Sequence, residues 1–344
     1  MTAAAAHAHY MQGEFFNSRR APGDEKRTID HFRQALAIDP TLADAWVGLA
    51  GALLVQMSVQ VPANRLVFRE VVLEIGAALK TALELNPAHA EAHVLMGQYE
   101  HGVRGNDTLA HIHYRKAWQY GRNDTQMLAR FSGIALHNQN LEEALYLQRQ
   151  AVALDPLSYI SRGNLGVLLY WSGHFDEARA EYLHAKILNP ARATQINKDL
   201  ALVLIQQHKY AEAEQLLLDA NSSSQRDRVL AMAYHARGKP LKSQAAANRL
   251  STTPGVEPAV YLAEVYAFIG DFDRSLDWLA VASQRYFAQE YFLQDWRTMH
   301  DAFFSPFLKP LMGDPRLLAW RSDTLEELRT ARANSAELYA DAGL

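Results

Sequence analysis

Cysteine is absent from this chain of 344 residues, which excludes disulfide bonds, thiolate metal sites and thiol nucleophiles. A large excess of either sign of charge is also lacking. The chain has 34 lysines and arginines and 38 aspartates and glutamates, which gives a net charge of −4. A protein with a dominant nucleic-acid-binding surface is normally strongly basic. The sequence therefore predicts that nucleic acid is not a partner of this chain.

Sequence motifs of catalysis are missing as well. The chain has neither a glycine-rich phosphate loop nor a Gly-x-Ser-x-Gly nucleophile elbow, and its glycines are scattered singly. Carboxylate pairs such as Glu142-Glu143 and Asp176-Glu177 fall at predicted helix starts, where they complement the helix dipole. We predict a chain that is not an enzyme, with no catalytic residue and no cofactor.

Long apolar runs are few. The most apolar window, residues 42–61, is interrupted by Asp44, and the spacing of Trp46, Leu49 and Leu53 suits a packed amphipathic helix. The N-terminal stretch lacks the basic start and the apolar run of a signal peptide. We predict no membrane insertion and favour the cytoplasm, or the periplasm if the chain is a fragment of a membrane-spanning regulator.

What the chain does contain is a repeat, which is clearest at residues 159–192. Two apolar helical patterns flank a polar turn there, on Leu165, Gly166, Leu169, Ala178, Tyr182 and Ala185. Proline cannot continue a helix and pushes the preceding residue out of helical geometry. Similar helix ends are therefore predicted at the recurring pairs Asp39-Pro40, Asn86-Pro87, Asp155-Pro156 and Asn189-Pro190.

This pattern resembles the tetratricopeptide repeat (TPR), over about residues 7–285. The resemblance implies an all-α fold: about eight helical hairpins stacked as a right-handed superhelix. The polar loop Asn221-Ser222-Ser223-Ser224 predicts a hinge near residues 221–225. Residues 286–344, rich in aromatic side chains and proline, are predicted to form a non-repeat cap and a terminal helix from Arg321 onward. That helix either packs across the array or projects from it.

In TPR families, partners bind a concave groove lined by the first helix of each pair. The charged clamp of the chaperone adaptors is missing here, with Asn197 the only partial match. We therefore predict a neutral, partly apolar groove for an apolar or amphipathic peptide or helix of a partner protein. Its residues are Val47, Leu54, Val94, Gln98, Leu136, Gly163, Val167, Tyr170, Trp171 and Asn197.

Tyr170 and Trp171 are the preferred anchors in this groove, because rigid aromatic side chains dominate binding hot spots. We expect Trp171→Ala to weaken partner binding without unfolding the array. Two alternatives stay open at this point. Tight curvature could bury the groove residues against one another, or the C-terminal helix could fill the groove.

A metal site is the obvious question for a chain with 14 histidines. His89 and His93 are spaced to share one side of a helix, with His101 two turns on. However, His89 falls at a turn between repeats, and His93 takes the bulky packing place of its unit. We therefore predict no metal site.

A second resemblance concerns biological context. The phrases HFRQALAIDPTLADAWVGLA and FFSPFLKPLMGDPRLLAW are similar to the helical C-terminal regions of bacterial ToxR-like or CadC-like transcriptional regulators and of TPR-bearing adenylate cyclases. The main hypothesis is a free-standing interaction scaffold. The alternative is the sensory or regulatory region of a bacterial signalling protein, which binds a small ligand or dimerises. The sequence leaves the oligomeric state open.

Overall fold

The computed structural model describes residues 3–19, 23–59, 65–104, 106–137, 139–218, 220–287 and 302–340. Within these ranges the chain is helical and contains no strand, and consecutive helices pack in pairs. The all-α, helical-hairpin architecture predicted from the repeat is thereby confirmed. Among the described residues, the first of two compact units comprises residues 3–123 and 328–340, and the second comprises residues 124–287 and 302–327.

The first unit contains three helix pairs: α1 (Ala3–Arg19), α2 (Asp24–Ile38), α3 (Ala43–Val59), α4 (Arg65–Leu85), α5 (Ala90–Gly102) and α6 (Asp107–Gly121). Its core is continuous along the pairs. Phe32, Leu53, Ile75 and Leu79 are all fully buried there. Burial of such side chains, at roughly 1.5–3 kcal/mol each, is the main force that holds the pairs together.

The second unit contains five helix pairs and the first half of a terminal helix. The pairs are α7 (Thr125–His137), α8 (Leu141–Leu154), α9 (Tyr159–Ser172), α10 (Phe175–Leu188), α11 (Ala193–Gln206), α12 (Tyr210–Leu216), α13 (Ser224–Ala236), α14 (Pro240–Thr252), α15 (Val256–Ile269) and α16 (Phe272–Phe287). Short 3₁₀ helices occupy Pro190–Arg192 and Pro306–Leu311, and α17 (Pro315–Ala340) follows.

The predicted helix ends before proline are confirmed. At Asp39 and Asn86 the backbone N–H donates to the carbonyl oxygen four residues earlier, at 2.8 Å in both cases. The side-chain oxygen of Asp39 then accepts the N–H of Thr41 at 3.0 Å, and that of Asn86 accepts the N–H of Ala88 at 3.1 Å. The side chain thus pairs the N–H group that follows the proline and lies outside the ended helix, and the chain turns into the next helix.

Small residues on the first helix of a pair accept an aromatic ring from the second helix, as the repeat pattern requires. A Cβ atom at Gly97 would lie 2.3 Å from Cε1 of Tyr114, and one at Gly166 would lie 2.8 Å from Cε1 of Tyr182. Tyr182 is buried, so its ring cannot swing into solvent. The absence of a side chain at these glycines therefore sets how closely the two helices approach.

Two alanine substitutions on the same helix test this packing. Gly166→Ala is expected to lower the free energy of unfolding by about 1–3 kcal/mol, because a buried ring must move. Gly163→Ala is the matched control: a Cβ atom there meets nothing within 4 Å, so better helix propensity is expected to raise stability by up to about 1 kcal/mol. Urea denaturation measures both. Equal effects of the two substitutions would contradict the packing role of Gly166.

One predicted boundary differs from the structure. Helix α17 begins at Pro315 and not at Arg321. Its start is stabilised by Asp314, whose Oδ1 atom accepts the backbone N–H of Arg316 at 2.8 Å.

The start of α17 packs on α16, since Nε1 of Trp320 donates to the carbonyl oxygen of Leu279 at 3.0 Å and to Oγ of Ser283 at 2.8 Å. This contact places a non-repeat helix against the last pair. Residues 288–301 and 341–344 of the predicted terminal element lie outside the described residues. The assignment of 286–344 as one cap, like the hinge near 221–225, stays a prediction.

Candidate functional site

The first helices of the pairs carry the predicted groove residues in both units. We call the surface formed by α7, α9, α11, α13 and α15 the A-helix face of the second unit. Four of the predicted residues are buried and one is exposed; the other five are partly exposed. The buried residues are Val47, Val94, Tyr170 and Trp171, and the exposed residue is Gln98. The partly exposed residues are Leu54, Leu136, Gly163, Val167 and Asn197.

In the first unit, Val47 and Leu54 are part of the hydrophobic core or pack against it, and Val94 is fully buried. Gln98 alone among the four is exposed. These positions are therefore occupied mainly by packing within the unit. Their role in binding a partner stays a prediction.

In the second unit, the two preferred anchors are buried, and Tyr170 lies against Phe175 of its own hairpin, with the ring centroids 6.0 Å apart. Tyr170 is 7% exposed and Trp171 is 6% exposed. The Trp171 ring lies against Phe304, with the ring centroids 5.7 Å apart. A partner can therefore contact Trp171 only if Phe304 moves away.

Phe304 belongs to residues 302–311, which we call the C-terminal segment. Its side chains pack against α9 and α15, and the Phe307 ring meets the Phe268 ring edge to face at a centroid distance of 6.0 Å. Phe303, Phe307 and Leu308 are buried. A short stretch of chain thus lies on the A-helix face of the second unit, where the Phe304 and Phe307 rings contact Trp171 and Phe268.

A buried polar network fixes the same segment. The carboxylate of Glu264 on α15 accepts two hydrogen bonds. Its Oε2 atom accepts one from Nη1 of Arg228 at 2.5 Å, and its Oε1 atom accepts one from Oγ of Ser305 at 2.5 Å. Arg228, Glu264 and Ser305 are 5%, 2% and 1% exposed. A charge that is this deeply buried needs partners for its lone pairs, so Ser305 completes the network that Arg228 begins.

Aromatic contacts hold the arginine in place. The guanidinium carbon of Arg228 lies 3.9 Å from the centroid of the Tyr261 ring, a cation–π geometry that is strongest when solvent is excluded. The Tyr261 hydroxyl donates in turn to Oε1 of Glu257 at 2.6 Å. The network therefore joins α13, α15 and the C-terminal segment.

Burial is continuous along the middle of α15. Every residue from 258 to 265 is buried, which is more than two helical turns. In α7 each turn retains partly exposed residues, such as Gly133 and Ile134. Buried runs also occur at residues 200–205 of α11 and 227–233 of α13, so neighbouring helices contribute to the burial of α15 together with the C-terminal segment that packs on it.

Solved structures with the same arrangement of helices identify the fold. Human IFIT1, solved as a dimer with m7Gppp-AAAA, matches with a TM-score of 0.54 and 14% identity, over 83% of this chain and 72% of that one. A tetratricopeptide repeat protein from Parabacteroides merdae matches with a TM-score of 0.52 and 16% identity, over 70% of this chain and 95% of that one. The chain has the TPR fold. No family model matches it, and no curated protein does.

The most informative side chains of this TPR array were not among the predicted groove residues. Arg228 and Glu264 lie on different helix pairs, and Ser305 lies outside the repeats. One signal was present: Glu264 is the only charge within the apolar stretch AVYLAEVYAF, and an isolated carboxylate on a buried helix implies a buried partner. Periodicity within one helix could not identify that partner.

Two histidines of the first unit, His93 and His113, form a pair. Nδ1 of His93 lies 2.9 Å from Nδ1 of His113, and Nε2 of His93 is 3.0 Å from the carbonyl oxygen of Pro87. His93 is buried, so it acts as a packing residue of its hairpin. Among the residues that the structure describes, no group of three or more ligating side chains could hold a metal ion.

This pair makes the first unit sensitive to acid. Burial, followed by the neighbouring His93 and Lys116, lowers the pKa of His113 to about 4, and burial lowers the pKa of His93 as well. Unfolded histidine has a pKa of about 6.5, so the unfolded chain binds these protons first. The stabilisation is therefore fully present above about pH 6.5 and is lost as the pH falls toward about 4.

We expect urea denaturation to show a loss of about 1–2 kcal/mol between about pH 7 and pH 5. His113→Gln should reduce this dependence. His111→Gln, at an exposed position two residues away, should leave it unchanged. An identical pH dependence in the His113→Gln chain would show that the pair is not responsible.

None of the described helices is long and apolar enough to cross a membrane. This includes the described part of the 42–61 window, in which Leu49 and Leu53 are buried in the core of the first unit.

Proposed function

We propose that this TPR chain is a non-enzymatic interaction module, whose A-helix faces bind an apolar or amphipathic segment of a partner protein. The observation that supports the proposal is the C-terminal segment itself. The A-helix face of the second unit already holds a short stretch of chain through two aromatic contacts and a buried hydrogen bond. The net charge of −4 favours a protein partner over a nucleic acid.

The predicted groove residues take different parts in this proposal. Leu136, Gly163, Val167 and Asn197 are partly exposed in the second unit and would meet a partner first. Trp171 would be contacted after Phe304 of the C-terminal segment leaves, and a contact at Tyr170, which packs on Phe175, stays a prediction. In the first unit, the proposal gives Leu54 and Gln98 the corresponding role.

Photocrosslinking in the source cells tests the proposal. A photoreactive amino acid at Val167 reports on the A-helix face, and one at Ile187 on α10, which is 74% exposed, is the control outside it. We expect one defined protein to crosslink at Val167 and not at Ile187, with the crosslinked peptide rich in apolar residues. Equal crosslinking at both positions, or none at Val167, would contradict binding on this face.

A second candidate is the sensory region of a bacterial regulator, either a transcription factor or a cyclase. The stretch FFSPFLKPLMGDPRLLAW, on which that similarity depends, contains most of the C-terminal segment and the start of α17. The reading frame upstream of Met1 discriminates between the candidates. A winged-helix or cyclase domain encoded in that frame supports the regulator, and no such domain supports the scaffold.

A further inference from the structure

The C-terminal segment resembles a bound peptide ligand in the way it is held. Phe304 contacts Trp171 on α9, and Phe307 contacts Phe268 on α15. These two anchors are three residues apart in the segment, but their partners belong to different helix pairs. Aromatic anchors in buried sites supply most of the affinity of an interface. The spacing of the two rings is therefore the main feature that a competing ligand must reproduce.

The serine between the anchors supplies the polar part of the recognition. Ser305 Oγ donates to Glu264 Oε1 and also accepts the backbone N–H of Phe307 at 3.3 Å. Alanine at this place would leave a buried carboxylate oxygen and an N–H group without those partners. Such unpaired groups cost about 1–3 kcal/mol each, so the face selects for a hydroxyl donor at this position.

The proline after the serine suits a buried position on this face. Pro306 is buried at the first position of the 3₁₀ helix. Proline has no backbone N–H, so its burial adds no donor that needs a partner, and its fixed φ angle favours the helical turn. Ser305, Pro306 and Phe307 thus form a turn that satisfies its own hydrogen bonds and presents both rings to the same face.

Building on the proposed function, we propose that the partner of the second unit is a protein segment with the pattern aromatic–Ser–Pro–aromatic, and that residues 302–311 occupy its site in the free chain. A ligand within the same chain has an effective concentration on the order of millimolar. The partner segment therefore competes with the C-terminal segment, and weakening the segment's contacts should increase the apparent affinity for the partner.

A peptide of residues 302–312 (AFFSPFLKPLM), labelled with a fluorophore, tests this proposal. The protein is the full chain, either unsubstituted or with Phe304→Ala and Phe307→Ala together, which we call the released variant. By fluorescence polarisation we expect the peptide to bind the released variant at least about tenfold more tightly than the unsubstituted chain. Peptides with Ser305→Ala, or with both phenylalanines changed to alanine, should bind at least about tenfold more weakly than the parent peptide.

A folded released variant that does not bind the parent peptide would overturn the proposal, as would equal binding of the parent and Ser305→Ala peptides. If the same variant still crosslinks a partner through Val167, the interaction function stands and only the ligand pattern is wrong. If the released variant neither binds the parent peptide nor crosslinks a partner through Val167, both proposals are rejected.

Hydrogen exchange on the unsubstituted chain keeps the proposal testable if the released variant does not fold. Excess parent peptide should speed amide exchange in residues 302–311 by at least about tenfold, because the bound peptide displaces the segment. Unchanged exchange in millimolar peptide would overturn the proposal. If two copies of the chain exchange their C-terminal segments, a dimer that dissociates on dilution will appear. That result would also overturn the proposal, because the occupant of the site would then be a second copy of this chain and not a different protein.

Discussion

Arg228→Met is expected to lower the free energy of unfolding of the second unit by about 3–5 kcal/mol. The substitution removes the positive charge that lies 2.5 Å from Glu264 Oε2. Glu264 is 2% exposed, so water cannot replace the guanidinium, and a buried carboxylate is left without its counter-charge. The effect is large because a buried charge without its counter-charge destabilises the folded state more than the loss of both charges does.

Two further variants separate this cause from a general sensitivity to substitution. Arg149→Met breaks an ion pair of similar length, 2.8 Å to Glu177, in which both side chains are about half exposed; we expect a loss below about 1 kcal/mol. The double variant Arg228→Met with Glu264→Met removes both buried charges and should recover part of the loss. Urea denaturation followed by circular dichroism measures all three. Similar losses for Arg228→Met and Arg149→Met would show that burial does not set the energy of the pair.

Trp171→Ala is expected to destabilise the second unit by about 3–5 kcal/mol. The side chain is 6% exposed and contacts Phe304 of the C-terminal segment. Truncation therefore leaves a cavity between α9 and that segment and weakens the segment's attachment. This differs from the effect expected for an open groove, in which the same substitution would reduce partner binding alone.

The control for this substitution is Tyr146→Ala on α8. Tyr146 is 62% exposed, so we expect a change within about 0.5 kcal/mol. Thermal and urea denaturation of both variants give the comparison. A Trp171→Ala chain with unchanged stability and weaker partner binding would show that Trp171 is a ligand-contact residue and that its packing against Phe304 contributes little.

The helix pairs could be predicted because their determinants are local. The sequence positions of Asp39-Pro40 and Asn86-Pro87 decide where helices end, and the hydrogen bonds that cap those ends lie within four residues. The close approach of Gly166 to Tyr182 depends on residues 16 apart within one hairpin. Periodicity and turn chemistry operate over such distances, so they were sufficient for the fold.

The covering of the A-helix face could not be predicted in the same way. Trp171 and Phe304 are 133 residues apart in the chain, and nothing in the repeat pattern relates them. The pattern places Trp171 on the groove side, but whether a groove residue is exposed depends on what folds over it. The same holds for Arg228, Glu264 and Ser305, since a buried charge indicates that a partner exists without indicating which residue it is.

The attachment of the C-terminal segment to the A-helix face is the central claim, and a single thiol tests it most directly. The chain has no cysteine, so Ala302→Cys introduces the only one, at a position of the segment that is 3% exposed and outside the Glu264 network. Ser322→Cys, at an exposed position on α17, is the matched control. The rate at which an aromatic disulfide reagent labels each thiol is measured in the folded chain and divided by the rate for the same thiol in denaturant.

We expect the thiol of the Ala302→Cys chain to react at least about a hundredfold more slowly than the thiol of the Ser322→Cys chain, because the segment must open before the buried thiol is accessible. Adding Trp171→Ala should remove most of that protection. Equal relative rates for the two thiols in the otherwise unsubstituted chain would contradict the account, since the segment would then not be held on the A-helix face in solution.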